Sequence, residues 1–359
     1  MKNSVLSVDI KKNLGGFVLQ AKFETETEML SVLGASGAGK SLLLKYIAGI
    51  EKPDYGRIVL GGKVLFDSEK RINLPPQKRK IGYLFQDYAL FPNMTVYKNI
   101  SCTAKDPSLV KKYISEFSLE GKENCYPSRL SGGEQQRVAL ARLLCAEPEV
   151  LLFDEPFSAL DNHRKTSLER LLLYVIEEKK CPSILVTHDR NEAFRLSKNI
   201  SVMENGTLSA PKEKHDFFEN PETLAAVRLT GCKNTTRLSF NPDGTASAID
   251  WGITLSPENQ SFSSSEVKFA AFRAHYFVQA PNADGKNTFT CDIKRVVEDA
   301  FSYIIYFVQK NASGKAEATE ESLLCWKVPK ENWPEIEKSV RENRLFARLD
   351  MTKLILLEK

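Results

Sequence analysis

Eight residues constrain this chain more than any others: Gly34-Ala35-Ser36-Gly37-Ala38-Gly39-Lys40-Ser41, set between an apolar run, Met29 to Leu33, and a helix-like segment, Leu42 to Ala48. Glycine, four residues, then Gly-Lys-Ser, with a strand before and a helix after, is the pattern of a loop that wraps a phosphate. The residue types follow from that task. Glycines let successive backbone N–H groups turn inward, and the helix that follows aims its positive end at the same anion. Lys40 is placed to reach the β- and γ-phosphates of a nucleotide, and the Ser41 hydroxyl to hold Mg²⁺. A plain glycine-rich turn is the competing reading. With glycine near 7% of ordinary usage, the four fixed positions coincide by accident in about 1% of chains of this length, which favours nucleotide binding.

The segments around the loop alternate. Short strands are predicted at Val5 to Ile10, Phe17 to Phe23 and Met29 to Leu33, and again at Arg57 to Leu60 and Lys63 to Phe66 about a Gly61-Gly62 hairpin turn. After Leu74-Pro75-Pro76, Ile81 to Phe85 is another apolar strand, ending at Gln86. From Asp87 to about Glu147 the pattern turns helical, with Val138, Leu140, Ala141 and Leu144 recurring between Glu134 and Cys145. Val150 to Phe153 and Ser183 to Thr187 read as buried strands, Asn162 to Ile176 and the segment from Arg190 as helices, and Glu204-Asn205-Gly206 as a hairpin turn. Apolar strands alternating with helices predict an α/β fold with a parallel sheet covered on both faces.

At 359 residues two domains are expected. The character changes near Pro221 to Gly231, beyond which short alternating stretches such as Val267 to Phe272, Thr290 to Val297, Tyr303 to Val308, Leu323 to Val328 and Leu345 to Leu349 predict a small all-β barrel that closes its own edges. The expected boundaries are 1–228, with a helical subdomain at about 87–147, and 229–359. A net charge of +4 gives nucleic acid little purchase. The seven cysteines are scattered singly, as expected for reduced, mostly buried thiols in a cytosolic protein. No run approaches the roughly 18 apolar residues that span a bilayer, and the amino terminus lacks a signal-peptide core, so any membrane link is expected through a partner.

Further signals follow the loop in a fixed order. Val150-Leu151-Leu152-Phe153-Asp154-Glu155 is an apolar strand ending in two carboxylates, the arrangement that sets an aspartate beside a phosphate-bound Mg²⁺. Leu130-Ser131-Gly132-Gly133-Glu134-Gln135-Gln136-Arg137 opens a helix with two glycines. It reads both as a second anion site of backbone amides and as an N-cap, Ser131, with a capping-box glutamate, Glu134. Together with Gln86 after its strand, Ser158-Ala159-Leu160-Asp161 and Thr187-His188-Asp189, the set resembles the nucleotide-binding subunit of an ATP-binding cassette (ABC) transporter over roughly the first two-thirds of the chain.

That resemblance implies a P-loop NTPase cassette with a helical subdomain, followed by an OB-like regulatory barrel, and it implies roles residue by residue. Gly34, Ala35, Ser36, Gly37, Ala38, Gly39, Lys40 and Ser41 hold the phosphates of ATP. Ser41, Gln86 and Asp154 serve Mg²⁺. Glu155 is the general base, and His188 and Gln86 complete the catalytic group around the γ-phosphate and attacking water. Ser131, Gly132 and Gly133 of one chain cap the ATP bound by a second copy, with Asp161 joining the halves. The partners implied are a homodimer, integral membrane permease subunits docking near Gln86 and the segment Asp87 to Asn99, and indirectly a substrate-binding protein, placing the chain at the cytoplasmic face of a membrane. Phe17 is the nearest candidate for stacking on adenine, with a core phenylalanine as the alternative.

Within the family, Gly56-Arg57-Ile58-Val59-Leu60, the stretch Leu74 to Asp87 and Leu90-Phe91-Pro92 are most similar to the ATPase of molybdate or sulfate/molybdate importers. Import of another solute such as sugar, polyamine or iron is the alternative, and a non-transport cassette ATPase a more distant one. Phe272-Arg273-Ala274-His275 departs from the Arg-Pro-Glu signature of related barrels. A barrel that binds the oxyanion and one that only stabilises the dimer are both open.

Overall fold

The computed structural model describes residues 5–26, 28–158, 160, 162–257, 267–310 and 322–358, without the side chains of 162–164. Asp161 and the serine-rich stretch Ser261 to Ser265 lie outside the described residues. The chain forms two compact units, Met1–Phe217 and Phe218–Lys359.

In chain order the first unit contains β1 (Leu6–Asn13), β2 (Val18–Thr25), β3 (Met29–Leu33), α1 (Lys40–Ala48), β4 (Tyr55–Leu60), β5 (Lys63–Asp67), β6 (Ile72–Asn73) and β7 (Ile81–Leu84). It continues with α2 (Val96–Ser101), α3 (Pro107–Glu116), α4 (Gly132–Cys145), β8 (Val150–Asp154), α5 (Asn162–Lys179), β9 (Ser183–Thr187), α6 (Arg190–Leu196), β10 (Asn199–Glu204), β11 (Thr207–Leu208) and β12 (Lys212–Glu213). The strands join in the order β6-β5-β4-β1-β2-β11-β10-β3-β9-β8-β7, with β12 on β10.

This sheet is mixed rather than wholly parallel. Strands β10, β3, β9, β8 and β7 run parallel, and β3, β8 and β9 are buried at every residue, as strands covered on both faces must be. The amino-terminal strands β1, β2, β4, β5 and β6 pair antiparallel. Their alternation, with Leu6, Val8 and Ile10 inward on β1 and Leu19, Ala21 and Phe23 inward on β2, is the signature of strands covered on one face.

Helix α1 follows the glycine-rich loop directly, and its far end is held by an uncommon device. Arg79 is 1% exposed and donates from Nη1 to the carbonyls of Tyr46 (2.9 Å) and Ile47 (2.8 Å), from Nε to Leu74 O (2.8 Å) and from Nη2 to Asn73 Oδ1 (2.8 Å). The guanidinium thus serves the carbonyl end of α1, where a cation is favoured by the helix dipole. Burial pushes its pKa down to about 10, leaving it charged at neutral pH. Arg79→Ala would take a donor from the buried carbonyls of Tyr46 and Ile47 and from Leu74 O, with an expected loss of about 3 kcal/mol in denaturant unfolding. An unchanged midpoint would show that α1 does not need this clamp.

Helices α2, α3 and α4 pack Val96, Ile100, Val110, Tyr113, Phe117, Val138, Leu140 and Leu144 into one core with Leu151 and Phe153 of β8. Buried Asn99 accepts from Phe91 N (2.9 Å) and donates to the carbonyls of Phe91, Met94 and Thr95 (3.1, 2.9 and 3.2 Å). The segment before α2 is therefore fixed, while the side chains of Phe91 in that segment and of Tyr97 in α2 stay exposed.

Helix α7 (Lys214–Glu219) carries the division between units, and α8 (Leu224–Leu229) belongs to the second. The division falls between Phe217 and Phe218, inside α7 and before α8. The reason is packing: Leu224 and Val227 share a cluster with Cys232, Ala271 and Leu357. Then come β13 (Asn234–Phe240), β14 (Ala246–Ala248), β15 (Ile253–Leu255), β16 (Phe269–Phe272), β17 (Val278–Gln279), β18 (Thr288–Glu298), β19 (Ser302–Gln309), β20 (Leu324–Pro329), α9 (Trp333–Arg341), β21 (Phe346–Arg348) and β22 (Ile355–Leu357). Two five-stranded ladders result, β15-β14-β13-β16-β22 and β17-β21-β18-β19-β20.

The β unit is OB-like, but among the described residues its pairing runs as two open ladders and not one closed ring. Three of the four terminal strands, β15, β17 and β22, are only two or three residues long, which limits the edge they present. Helix α9 interrupts the β pattern. Trp333, Ile336 and Val340, three and four apart, face the same core, and Trp333 stacks on Tyr303 at 4.0 Å.

Candidate functional site

The site forms where β3, β8 and β9 end beside α1. Gly34 leaves β3 so close to β10 that a Cβ there would lie 2.5 Å from the Met203 carbonyl oxygen. Gly39 precedes α1 with φ +104° and no capping side chain, so the first amides of α1 are left for a ligand. Lys40 is 5% exposed. Its Nζ donates to Gly34 O (3.0 Å) and Ala35 O (2.9 Å) and lies 3.5 Å from Glu155 Oε1.

Two hydroxyls grip Asp154 at the end of β8. Ser41 Oγ donates to Oδ1 at 2.7 Å, and Tyr83 OH to Oδ2 at 2.8 Å. Burial first, then the Asp154 charge and hydrogen bond, lift the Tyr83 phenol far above its ordinary pKa, so it remains a donor. Glu155 follows in the left-handed region, φ +45°, a conformation that costs a non-glycine residue about 1–3 kcal/mol. Its amide donates to Val186 O (3.0 Å). The bend turns its carboxylate to lie between Lys40 and His188, whose Nδ1 is 3.1 Å from Oε2.

The His188 loop has its own support. Asp189 caps α6 through Asn191 N (2.7 Å). Lys165 of α5 lies 2.6 Å from Asp189 Oδ2 and 2.7 Å from Glu192 Oε1, and Thr187 Oγ1 donates to Glu192. Burial opposes ionisation of Asp189, yet the Lys165 hydrogen bond and backbone donors hold its carboxyl below the ordinary range.

Lys40, Ser41, Asp154, Glu155 and His188 are therefore joined in one group. Gln86 meets it indirectly: its Nε2 donates to Ser158 Oγ (3.0 Å), which donates to Glu155 O (3.1 Å). Ser131 begins α4 with a full capping box, accepting from Glu134 N (3.4 Å) while its own amide donates to Glu134 Oε2 (2.7 Å). Among the described residues, no hydrogen bond or ion pair joins Ser131, Gly132 or Gly133 to the Lys40 group. Asp161 is outside the described residues. The Phe17 ring lies 3.6 Å from the Cβ position of Gly39, beside the loop.

Sequence reasoning missed Tyr83, the Lys165–Glu192 pair and Gln136, whose buried Nε2 donates to Pro156 O (3.2 Å) and ties α4 to the turn after Glu155. Only Tyr83 left a signal, a polar tip three residues before Gln86 in an otherwise apolar strand.

The donor set suits Mg²⁺. A hydroxyl and one carboxylate at the mouth of a phosphate loop match an ion that takes few protein oxygens and completes its shell with phosphates and water. Among the described residues there is no cluster of three or more His, Cys, Asp or Glu side chains able to hold a metal.

The model of the ABC transporter family matches residues 22–158. Over 295 residues the chain is 35% identical to the sulfate/thiosulfate import ATP-binding protein CysA of Mesostigma viride, covering 79% of this chain and 81% of that one. The chain belongs to the ABC transporter family. It is also 40% identical over 220 residues to the molybdenum import ATP-binding protein ModC of Aliivibrio fischeri, covering 60% of each. The chain thus spans about 60% of the length of that relative. Among solved structures it resembles cbiO1 of Clostridium perfringens, part of the ABC transporter complex cbiONQ, with a TM-score of 0.52 and 27% identity over 61% of this chain and 91% of that one. The family expected from the motifs is borne out, and the first unit is an ABC cassette of the P-loop NTPase fold. Among the described residues no helix is long and apolar enough to cross a membrane.

Proposed function

We propose that this chain hydrolyses ATP to ADP and phosphate and thereby energises uptake of an oxyanion, molybdate or tungstate or sulfate, through separate membrane subunits. The observation that carries the reading is the placement of Glu155, one residue past the Asp154–Ser41 pair and between Lys40 and His188. Ser41 and Asp154 would hold Mg²⁺, with Gln86 as the further candidate, and the ion would supply charge neutralisation at the phosphates. The loop amides, α1 and Lys40 fix the triphosphate. Glu155 takes a proton from the attacking water, while His188 orients that carboxylate and reaches the transferred group.

The exposed N-terminus of α4, with Ser131, Gly132 and Gly133, supplies anion-binding amides that the same chain's Lys40 group does not use. A second copy set head to tail would bring them over the phosphates, so hydrolysis would need a homodimer. Exposed Phe91, on the loop that Asn99 clamps, and exposed Tyr97 of α2 support a permease contact on this segment. A peripheral place at the cytoplasmic face and an indirect link to a substrate-binding protein follow from that partner. Phe17, lying beside Gly39, is the candidate to stack on adenine.

In the β unit, a cavity of about 420 Å³ is lined by Arg228, Lys233, Arg237, Thr235, Thr236 and Asp250. Arg237 is paired with Asp250 (2.5 Å), so Arg228 and Lys233 are the cations that make it our candidate for a regulatory oxyanion site. Both parts have direct tests. In vesicles carrying the permease and its binding protein, molybdate or sulfate is expected to stimulate hydrolysis. Stimulation by a sugar, polyamine or iron instead would replace the cargo. Titration of the full chain with molybdate, tungstate and sulfate should give saturable binding that Lys233→Glu abolishes, and silence for all three would leave the β unit a stabilising module.

A further inference from the structure

We propose that Tyr83 is a positioning residue for the metal-binding carboxylate: its hydroxyl holds one oxygen of Asp154 so that the other is presented to Ser41. The inference rests on the reading of Asp154 and Ser41 as the Mg²⁺ pair. Strand β7 lies parallel to β8, with Tyr83 opposite Leu152. That register brings the phenol tip to the end of β8, 2.8 Å from Asp154 Oδ2, on the opposite carboxylate oxygen from Ser41.

A carboxylate at the end of a strand turns freely about its last bond. One that is 8% exposed and gripped at both oxygens does not. A Ser41 hydroxyl that gives a lone pair to a metal keeps its hydrogen for Oδ1, and the Tyr83 bond to Oδ2 persists beside it. Of the two hydroxyls, Tyr83 is the anchor that does not itself meet the ion, and it holds Asp154 toward the metal or its bound water. The ring itself is accounted for by packing, since it stacks on Phe85 at 4.2 Å. The hydroxyl is the part that packing does not require. Tyr83 also stands three residues before Gln86, so the carboxylate is tied to the same segment that ends at Gln86.

The test is Tyr83→Phe in the full chain, read as affinity for a non-hydrolysable ATP analogue in EDTA and across a Mg²⁺ titration. Analogue affinity in EDTA is expected to match the parent protein, while the melting temperature falls by a few degrees because a buried carboxylate loses one donor. The Mg²⁺ concentration for half-maximal tightening should rise about tenfold, the scale of one hydrogen bond to a charged group. An unchanged Mg²⁺ midpoint overturns the proposal. Asp154→Asn alone and with Tyr83→Phe closes the cycle: if Tyr83 acts through Asp154, the second substitution adds nothing to the first, and full additivity overturns it. A parent protein that binds no analogue, or ignores Mg²⁺, fails the underlying site reading instead, so the two failures are told apart.

Discussion

Glu155→Gln is expected to lower the hydrolysis rate by roughly 10²–10⁴-fold, the contribution of a positioned general base, while ATP binding stays intact or tightens. The amide keeps the shape, so the left-handed backbone at 155 and the hydrogen bond from Glu155 N to Val186 O are retained. It also keeps an acceptor for Lys40, now neutral. What disappears is the ability to take a proton from water, together with the repulsion between the carboxylate and an incoming γ-phosphate. Protein that binds ATP, does not turn it over and accumulates as a dimer on size exclusion is the expected picture. A normal rate would remove Glu155 as the base.

Lys40→Ala should act one step earlier. Each of its contacts is made where little solvent reaches, to Gly34 O, Ala35 O and Glu155, and a phosphate would exchange for such partners at a buried cation. Losing it should weaken nucleotide affinity by about 10²-fold, the scale of one or two charge-assisted hydrogen bonds. Because Ala also leaves a cavity, Lys40→Met, which keeps most of the apolar stem, should reproduce the affinity loss with a smaller change in melting temperature. Affinity equal to the parent in both variants would contradict the phosphate cradle.

The parts most legible in the sequence were those whose chemistry lies in consecutive residues. The phosphate loop needs glycines at fixed spacing because backbone amides must converge, and β3, β8 and β9 announce themselves as unbroken apolar runs because both faces are covered. The α4 cap was readable for the same reason, since Ser131 and Glu134 meet within one turn. The β unit was less legible. Strand β13, Asn-Thr-Thr-Arg-Leu-Ser-Phe, is mostly polar, and its buried Asn234 is satisfied by Phe272 O and Cys325 far along the chain. Helix α9 carried a helical spacing of Trp333, Ile336 and Val340 that went unread among β signals.

Alone, the sequence determined the order of the motifs, the carboxylates that end β8 and the glycine-lysine-serine loop between β3 and α1, because each is set by neighbours a few positions away. Only the tertiary structure decided what those groups touch. Strand register set Tyr83 against Asp154 across 71 positions, the fold carried Arg79 to the carbonyl end of α1, and the bend at Glu155 turned a second carboxylate between Lys40 and His188. Such contacts depend on which strands pair and how their ends align, and side-chain identity is silent about both until the sheet has formed.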